Sequence, residues 1–454
     1  MSHTAKVFVV ALSLVIWFAP LSSRAADDRE KETLSRAREI LNLYLDGEYE
    51  KFVATGTDEL KEKFPPEMAA QVAAQLTAQL GKYQRERSAE CSRVAGYNAV
   101  NFALRYEKST LKLRVVLDDQ QRLAGFLITG TESNVAYHAP EYVDKARFTE
   151  TPVTVVTGEF ELPGTLSIPT GGGKHPGLVL VHGSGPNDQD ETVQANKPFR
   201  DLAWGLASRG IAVLRYEKRT HKYAAKMNPD EITLDTETID DALSAAALLR
   251  KRPEIDSQRV YVLGHSLGGM AAPFIGAKDE KLAGIIIMAG NARSILDLLD
   301  DQLEYIAKSD GEVSDAERAQ VDAVHKAAAA IRAGDTDSVE KPLLGAPAVY
   351  WERLHKRRQC ETAASLHMPI LVLQGGRDYQ VTTKSFEQWK HALAGKSNVT
   401  FKLYQRLNHL MVAGDSPSTP SEYVEPGHVD QSVVEDIAAW IRSGGSALST
   451  GEVR

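Results

Sequence analysis

Tyr261-Val262-Leu263-Gly264-His265-Ser266-Leu267-Gly268-Gly269-Met270 decides how the rest of the chain reads. The apolar run 260–263 is what a buried strand requires. It stops at a glycine, passes through a serine and meets a glycine pair that opens a helix. Gly264-x-Ser266-x-Gly268 is the nucleophile-elbow pattern, a sharp strand-to-helix turn that lifts a serine hydroxyl clear of the backbone. Glycines on either side avoid clashes in that turn, and the helix N-terminus points at any oxyanion formed on the serine. The pattern alone is weak, and its surroundings decide its weight.

Outward from the elbow, strands alternate with helices. Segments 153–156 and 160–168 read as an antiparallel strand pair around Gly158, with a bend at Leu162-Pro163-Gly164. Residues 178–181 are fully apolar, as a central parallel strand requires, and run into His182-Gly183-Ser184-Gly185-Pro186. A helix over 199–208, closed by Gly210, a strand at 211–214 and an alanine-rich helix at 239–249 follow. Beyond the elbow come a strand at 282–288, a long insertion, a strand at 369–373, a helix around 386–393, a strand at 399–404 and a terminal helix at 433–441. This order predicts an α/β fold with a mostly parallel, doubly wound sheet. Ligands on such sheets bind beyond the carboxyl ends of the strands.

The candidate site residues follow such ends. After 369–373 comes Gln374-Gly375-Gly376-Arg377-Asp378, which offers Asp378 as the acid; after 399–404 comes Leu407-Asn408-His409, which offers His409 as the base. His428 competes for that role, but it immediately precedes the terminal helix and reads as a cap or a supporting residue. An oxyanion needs two backbone donors. The amide of Leu267 is one, and the amide of Ser184, in a glycine-rich loop, is the other. His182 reads as a structural hydrogen bonder and His265 as elbow packing. Asp188, Asp190 and Glu191 either repel anionic substrates or bond their own loop, and the second reading is favoured.

Three runs together, 181–191, 264–269 and 374–378, resemble the serine α/β-hydrolase superfamily over about residues 150–445. The likeness is to exported bacterial esterases near the dienelactone-hydrolase and prolyl-oligopeptidase-like branches. Ser266, Asp378 and His409 occur in the chain order of that superfamily. The resemblance implies ester or amide hydrolysis through an acyl-enzyme on Ser266, without a cofactor. A carboxylesterase acting on small-molecule esters is the favoured expectation. An exported peptidase of the prolyl-aminopeptidase type is the second, and a non-catalytic scaffold the third.

The insertion 292–366 stands where this fold carries lids. Ile295, Leu298, Leu299, Leu303 and Ile306 mark one amphipathic helix. Ser314-x-x-Glu317 is a capping box for a second that stops at Gly334, and Tyr350, Trp351 and Leu354 begin a third. The expectation is a lid that walls the acyl pocket, with a peripheral bundle as the alternative.

Residues 27–135 read as a separate small α+β domain: helices through Ile40, Leu41, Tyr44 and Leu45 and from Pro66, then period-two strands at 100–106, 111–115 and 123–128. It carries no catalytic constellation and resembles small cone-shaped domains of unknown function fused in front of exported hydrolases. Residues 1–25 read as a signal peptide: Lys6, an apolar stretch over 7–21 too short to span a bilayer, and Ser23-Arg24-Ala25 before the cut. Export to the periplasm or medium follows, with no stable membrane insertion after cleavage. Cys91 and Cys360 either pair in such a compartment or stay free. With 61 acidic and 53 basic residues the net charge is −8, and no basic block suggests a nucleic-acid partner. The histidines lack metal-ligand spacing, so no metal is expected.

Overall fold

The computed structural model describes residues 24–446 apart from 95, 309, 310, 312, 314, 340 and 341. Apart from its last two residues, the signal segment read at 1–25 lies outside the described residues, as does Ser314 of the capping box. The chain divides into two compact units between Glu132 and Ser133.

In the first unit, α1 (Arg24–Leu45), α2 (Tyr49–Ala54), α3 (Asp58–Lys63) and α4 (Pro66–Leu80) precede a four-stranded sheet. Its strands are β1 (Tyr83–Val94), β2 (Tyr97–Tyr106), β3 (Ser109–Leu117) and β4 (Leu123–Ser133), in that spatial order. Ile40, Leu41 and Tyr44 of α1 pack on Val100, Phe102 and Leu104 of β2 and Leu111, Leu113 and Val115 of β3. β1 has no counterpart in the periodicity. It is an edge strand with no fully buried residue, so its polar sequence carries no alternation to read.

The second unit opens with the hairpin β5 (Phe148–Thr157) and β6 (Phe160–Pro169). Then come β7 (His175–Val181), α5 (Pro198–Ala207), β8 (Ala212–Tyr216), α6 (Arg219–Lys222), α7 (Asp240–Arg250), β9 (Ile255–His265), α8 (Leu267–Lys278) and β10 (Gly284–Met288). The inserted helices are α9 (Ile295–Ala307), α10 (Asp315–Arg332), α11 (Ala348–His355) and α12 (Gln359–Ser365); β11 (Ile370–Gly375), α13 (Thr383–Ala392), β12 (Val399–Tyr404) and α14 (Gln431–Arg442) complete the chain.

The sheet order is β12-β11-β10-β9-β7-β8-β6-β5. The six strands from β12 to β8 run parallel, and β6 and β5 add antiparallel. Alternate residues face opposite layers. Val179, Val262, Ile285 and Val372 join the core that includes α7, α8 and α13, whereas Leu178, Leu263, Ile286 and Leu371 join the one that includes α5 and α14. Both faces are therefore covered, which is why these strands read as continuous apolar runs. Among the described residues no helix is long and apolar enough to cross a membrane.

Candidate active site

The elbow stands at the end of β9. Ser266 has φ 54 and ψ −114, a conformation that costs a non-glycine residue energy and is held by its surroundings. Its N–H donates to Met288 O at 3.0 Å. A Cβ on Gly264 would run into the carbonyl of Gly268, and one on Gly268 into that of Val181. The two glycines are thus required by close backbone approach. Leu267 opens α8, where the first N–H groups have no intrahelical partner.

Asp378 and His409 are brought together from the loops after β11 and β12. His409 Nδ1 donates to Asp378 Oδ2 at 2.8 Å, and both residues are buried. The carboxylate is saturated: Gln374 Nε2 also donates to Oδ2 at 3.1 Å, and the amides of Gln380 and Val381 donate to Oδ1 at 2.8 and 2.9 Å. His409 lies in a tight turn built on Asn408, whose Oδ1 accepts from the amides of Leu410 and Val412, each at 3.0 Å. Bonding Nδ1 to the carboxylate leaves Nε2 for chemistry.

Ser266, His409, Gly183 and Ser184 line one cavity of about 710 Å³. No hydrogen bond engages the Ser266 hydroxyl among the described residues. In serine hydrolases without substrate, a serine–histidine contact of this kind is commonly long and tightens on binding. The remaining wall is largely apolar, with Met227, Ile232, Met270 and, from the insertion, Ile295, Leu298, Leu299 and Trp351. In the loop after β7, Gly183 N–H donates to Glu191 Oε1 at 2.5 Å, while Ser184 N–H is engaged by no acceptor among the described residues.

Residues 179–416, just over half of the chain, match the family described as serine aminopeptidase, S33. The chain belongs to this family of serine hydrolases. This hydrolase is 39% identical to the Thermotoga maritima protein named esterase EstD over 85% of its own length and 89% of that protein. Residues 37–126 match a family of unknown function, DUF3887. Among solved structures, the esterase of Pyrobaculum calidifontis is 16% identical over 65% of this chain and 85% of that one, with TM-score 0.42. A puromycin hydrolase is 16% identical over 82% and 49%, with TM-score 0.43.

Three other histidines of the hydrolase, His428, His182 and His265, have partners of their own. His428 Nδ1 lies 3.2 Å from both oxygens of Asp201, which also accepts from Tyr137 Oη at 2.5 Å, and His428 does not line the cavity. His182 Nε2 bonds Asp188 O at 3.1 Å, and burial holds its pKa down to about 4 against the pull of Glu191. His265 is more than packing. Nδ1 lies 2.8 Å from Glu191 Oε2 and Nε2 lies 2.9 Å from the carbonyl oxygen of His409. Two acceptors on one ring require both nitrogens protonated. Burial opposes that charge, but Glu191 outweighs it, so His265 sits above the usual histidine range. Glu191, despite burial, sits below the usual carboxylate range because of His265. The pair ties the loop after β7, the elbow and the loop after β12 together. The order of residues could flag both members as polar positions inside motifs, but not that they meet.

The acidic loop bonds itself and its neighbours. Asp188 accepts from the amides of Asp190 and Thr192 and from Thr192 Oγ1, and Asp190 is paired with Lys197, Arg200 and Arg215. Cys91 and Cys360 are free thiols, and burial pushes Cys360 up to about 11. Among the described residues no cluster of three or more histidine, cysteine or acidic side chains is placed to hold a metal.

Proposed function

We propose that the protein hydrolyses carboxylic esters through an acyl-enzyme on Ser266. His409 Nε2 takes the Ser266 proton as Oγ attacks the ester carbonyl carbon. Asp378 holds the ring with Nδ1 protonated and balances the imidazolium that forms. The amides of Ser184 and Leu267 hold the oxyanion. As the tetrahedral intermediate collapses, the proton passes to the leaving alcohol, and water repeats the sequence to release the acid.

The observation that carries this reading is the saturated Asp378–His409 pair beside a strained serine in an apolar cavity. The name of the relative from T. maritima agrees with it. An aminopeptidase would need a free carboxylate for the substrate's ammonium group. Two carboxylates, Glu191 and Glu237, line the cavity, and both are engaged: Glu191 by His265, Glu237 by Lys218 at 3.1 Å. The wall therefore favours an uncharged acyl group. The n-region, apolar stretch and small-residue cut of residues 1–25 support export.

p-Nitrophenyl esters of increasing chain length assayed beside aminoacyl-anilides test the proposal. The expected result is ester turnover that is abolished when a fluorophosphonate phosphonylates Ser266 with loss of fluoride. Preferential cleavage of the anilides would transfer the protein to the peptidase class.

A further inference from the structure

One buried cation beside the cavity has no part in the steps above. Lys218 Nζ donates to Gly183 O at 2.8 Å and pairs with Glu237 Oε2 at 3.1 Å. The two side chains are only 2% and 5% exposed. A buried lysine is costly unless paired and hydrogen-bonded, so its placement is a constraint on whatever it touches. It touches one peptide unit. Gly183 C=O and Ser184 N–H are the two ends of the same planar, trans amide, and in such a unit they point in opposite directions. Fixing the carbonyl on Lys218 fixes the direction of the Ser184 N–H. The amide before it is fixed as well, since Gly183 N–H is held by Glu191. A charged donor on a carbonyl oxygen also strengthens the N–H of that amide as a donor. From the other side, Tyr350 Oη on α11 donates to Glu237 Oε1 at 2.5 Å, so the inserted helices complete the chain of contacts.

We infer that Lys218 is a positioning residue that orients and polarises the Gly183–Ser184 peptide as an oxyanion donor, with Glu237 and Tyr350 holding Lys218 in place. This rests on the ester-hydrolase reading. It places control of the oxyanion hole on the strand-end loop after β8, two residues beyond Tyr216, and gives the insertion a route to it.

The test compares Lys218→Gln, the pair Lys218→Met with Glu237→Gln, and Tyr350→Phe in the full chain. The double variant removes both buried charges together, so neither remains unpaired if the single variant fails to fold. Each is assayed with a p-nitrophenyl ester for kcat and KM. Each is also titrated with an alkyl trifluoromethyl ketone, which forms an oxyanion on the serine, and with the corresponding alcohol, which does not. For both Lys218 variants, kcat and ketone affinity should fall together by about 30- to 300-fold, a little below the loss of a whole oxyanion donor. KM and alcohol affinity should stay within about threefold. Tyr350→Phe should show the same split at about three- to tenfold. Unchanged kcat and ketone affinity in folded Lys218 variants overturn the inference, as does a parallel loss of alcohol affinity, which would mark a merely structural role. Failure of the unaltered protein to label at Ser266 with a fluorophosphonate sinks the hydrolase reading and this inference together; normal labelling with unaffected variants sinks this inference alone.

Discussion

Two histidines, each paired with a carboxylate, share the wall of the cavity, with ring centroids 4.7 Å apart. In one pair, His409 gives Nδ1 to Asp378 and keeps Nε2 unspent. In the other, His265 gives Nδ1 to Glu191 and Nε2 to the backbone oxygen of His409. Both rings are buried and both face a carboxylate at 2.8 Å. The difference lies in the second nitrogen. A ring with one open nitrogen can accept and return a proton, whereas a ring with two occupied nitrogens is a fixed, charged strut. Proximity to a carboxylate therefore does not by itself make a histidine a base.

The sharpest way to break this contrast is to remove the groups the first pair serves. Ser266→Ala and His409→Ala should each lower ester turnover on the order of a millionfold while circular dichroism stays unchanged. Near-normal turnover in either would end the assignment. Asp378→Asn should cost about 10⁴-fold in kcat, because the amide holds the wrong tautomer of His409; a loss below about tenfold would mean the carboxylate is only structural.

The second pair should register in stability. His265→Asn leaves Glu191 charged and buried, and should destabilise by about 3–5 kcal/mol in denaturant titration. Adding Glu191→Gln should recover part of that loss. The pH dependence has a defined sign. Glu191 lies below its ordinary value, so its contribution is present above about pH 4.5 and fades as pH falls through the depressed value. His265 lies above its ordinary value, so its contribution is full below about pH 6.5 and fades as pH rises through the raised value. Unfolding free energies of the double variant, subtracted from those of the unaltered protein, should peak between those limits; a difference independent of pH would refute the charged pair.

His182 supplies the smallest effect, with a pH dependence opposite in sign to that of His265. Its folded-state pKa of about 4 means that the unfolded chain protonates first as pH falls below about 6.5. This residue should drain up to about 3 kcal/mol of stability between those values, and His182→Asn should flatten that slope. An unchanged slope would show that the ring is not held neutral.

How much of this was legible follows from what each segment contributes. The central strands are apolar on both faces and stop at glycines, so β7, β9, β10 and β11 announce themselves. β1 did not, because an edge strand with no buried residue carries no alternation. α12, a helix of 7 residues, is too short to show a period. Asp378 and His409 could be nominated from strand ends. Lys218 lies two residues past a strand end and has no motif around it, and Glu237 sits in a single π turn before α7.

By itself the order of residues determined the elbow, the alternation of strand and helix, and the three loops from which the site is drawn. Those are local matters, set by backbone sterics at glycine and by side-chain periodicity. Only the tertiary structure decided which histidine keeps a free nitrogen, that Glu191 and His265 form one charged unit, and that Lys218 holds the carbonyl oxygen of Gly183. These depend on burial and on contacts between residues up to 144 positions apart, where low dielectric makes every partner count and no spacing rule applies.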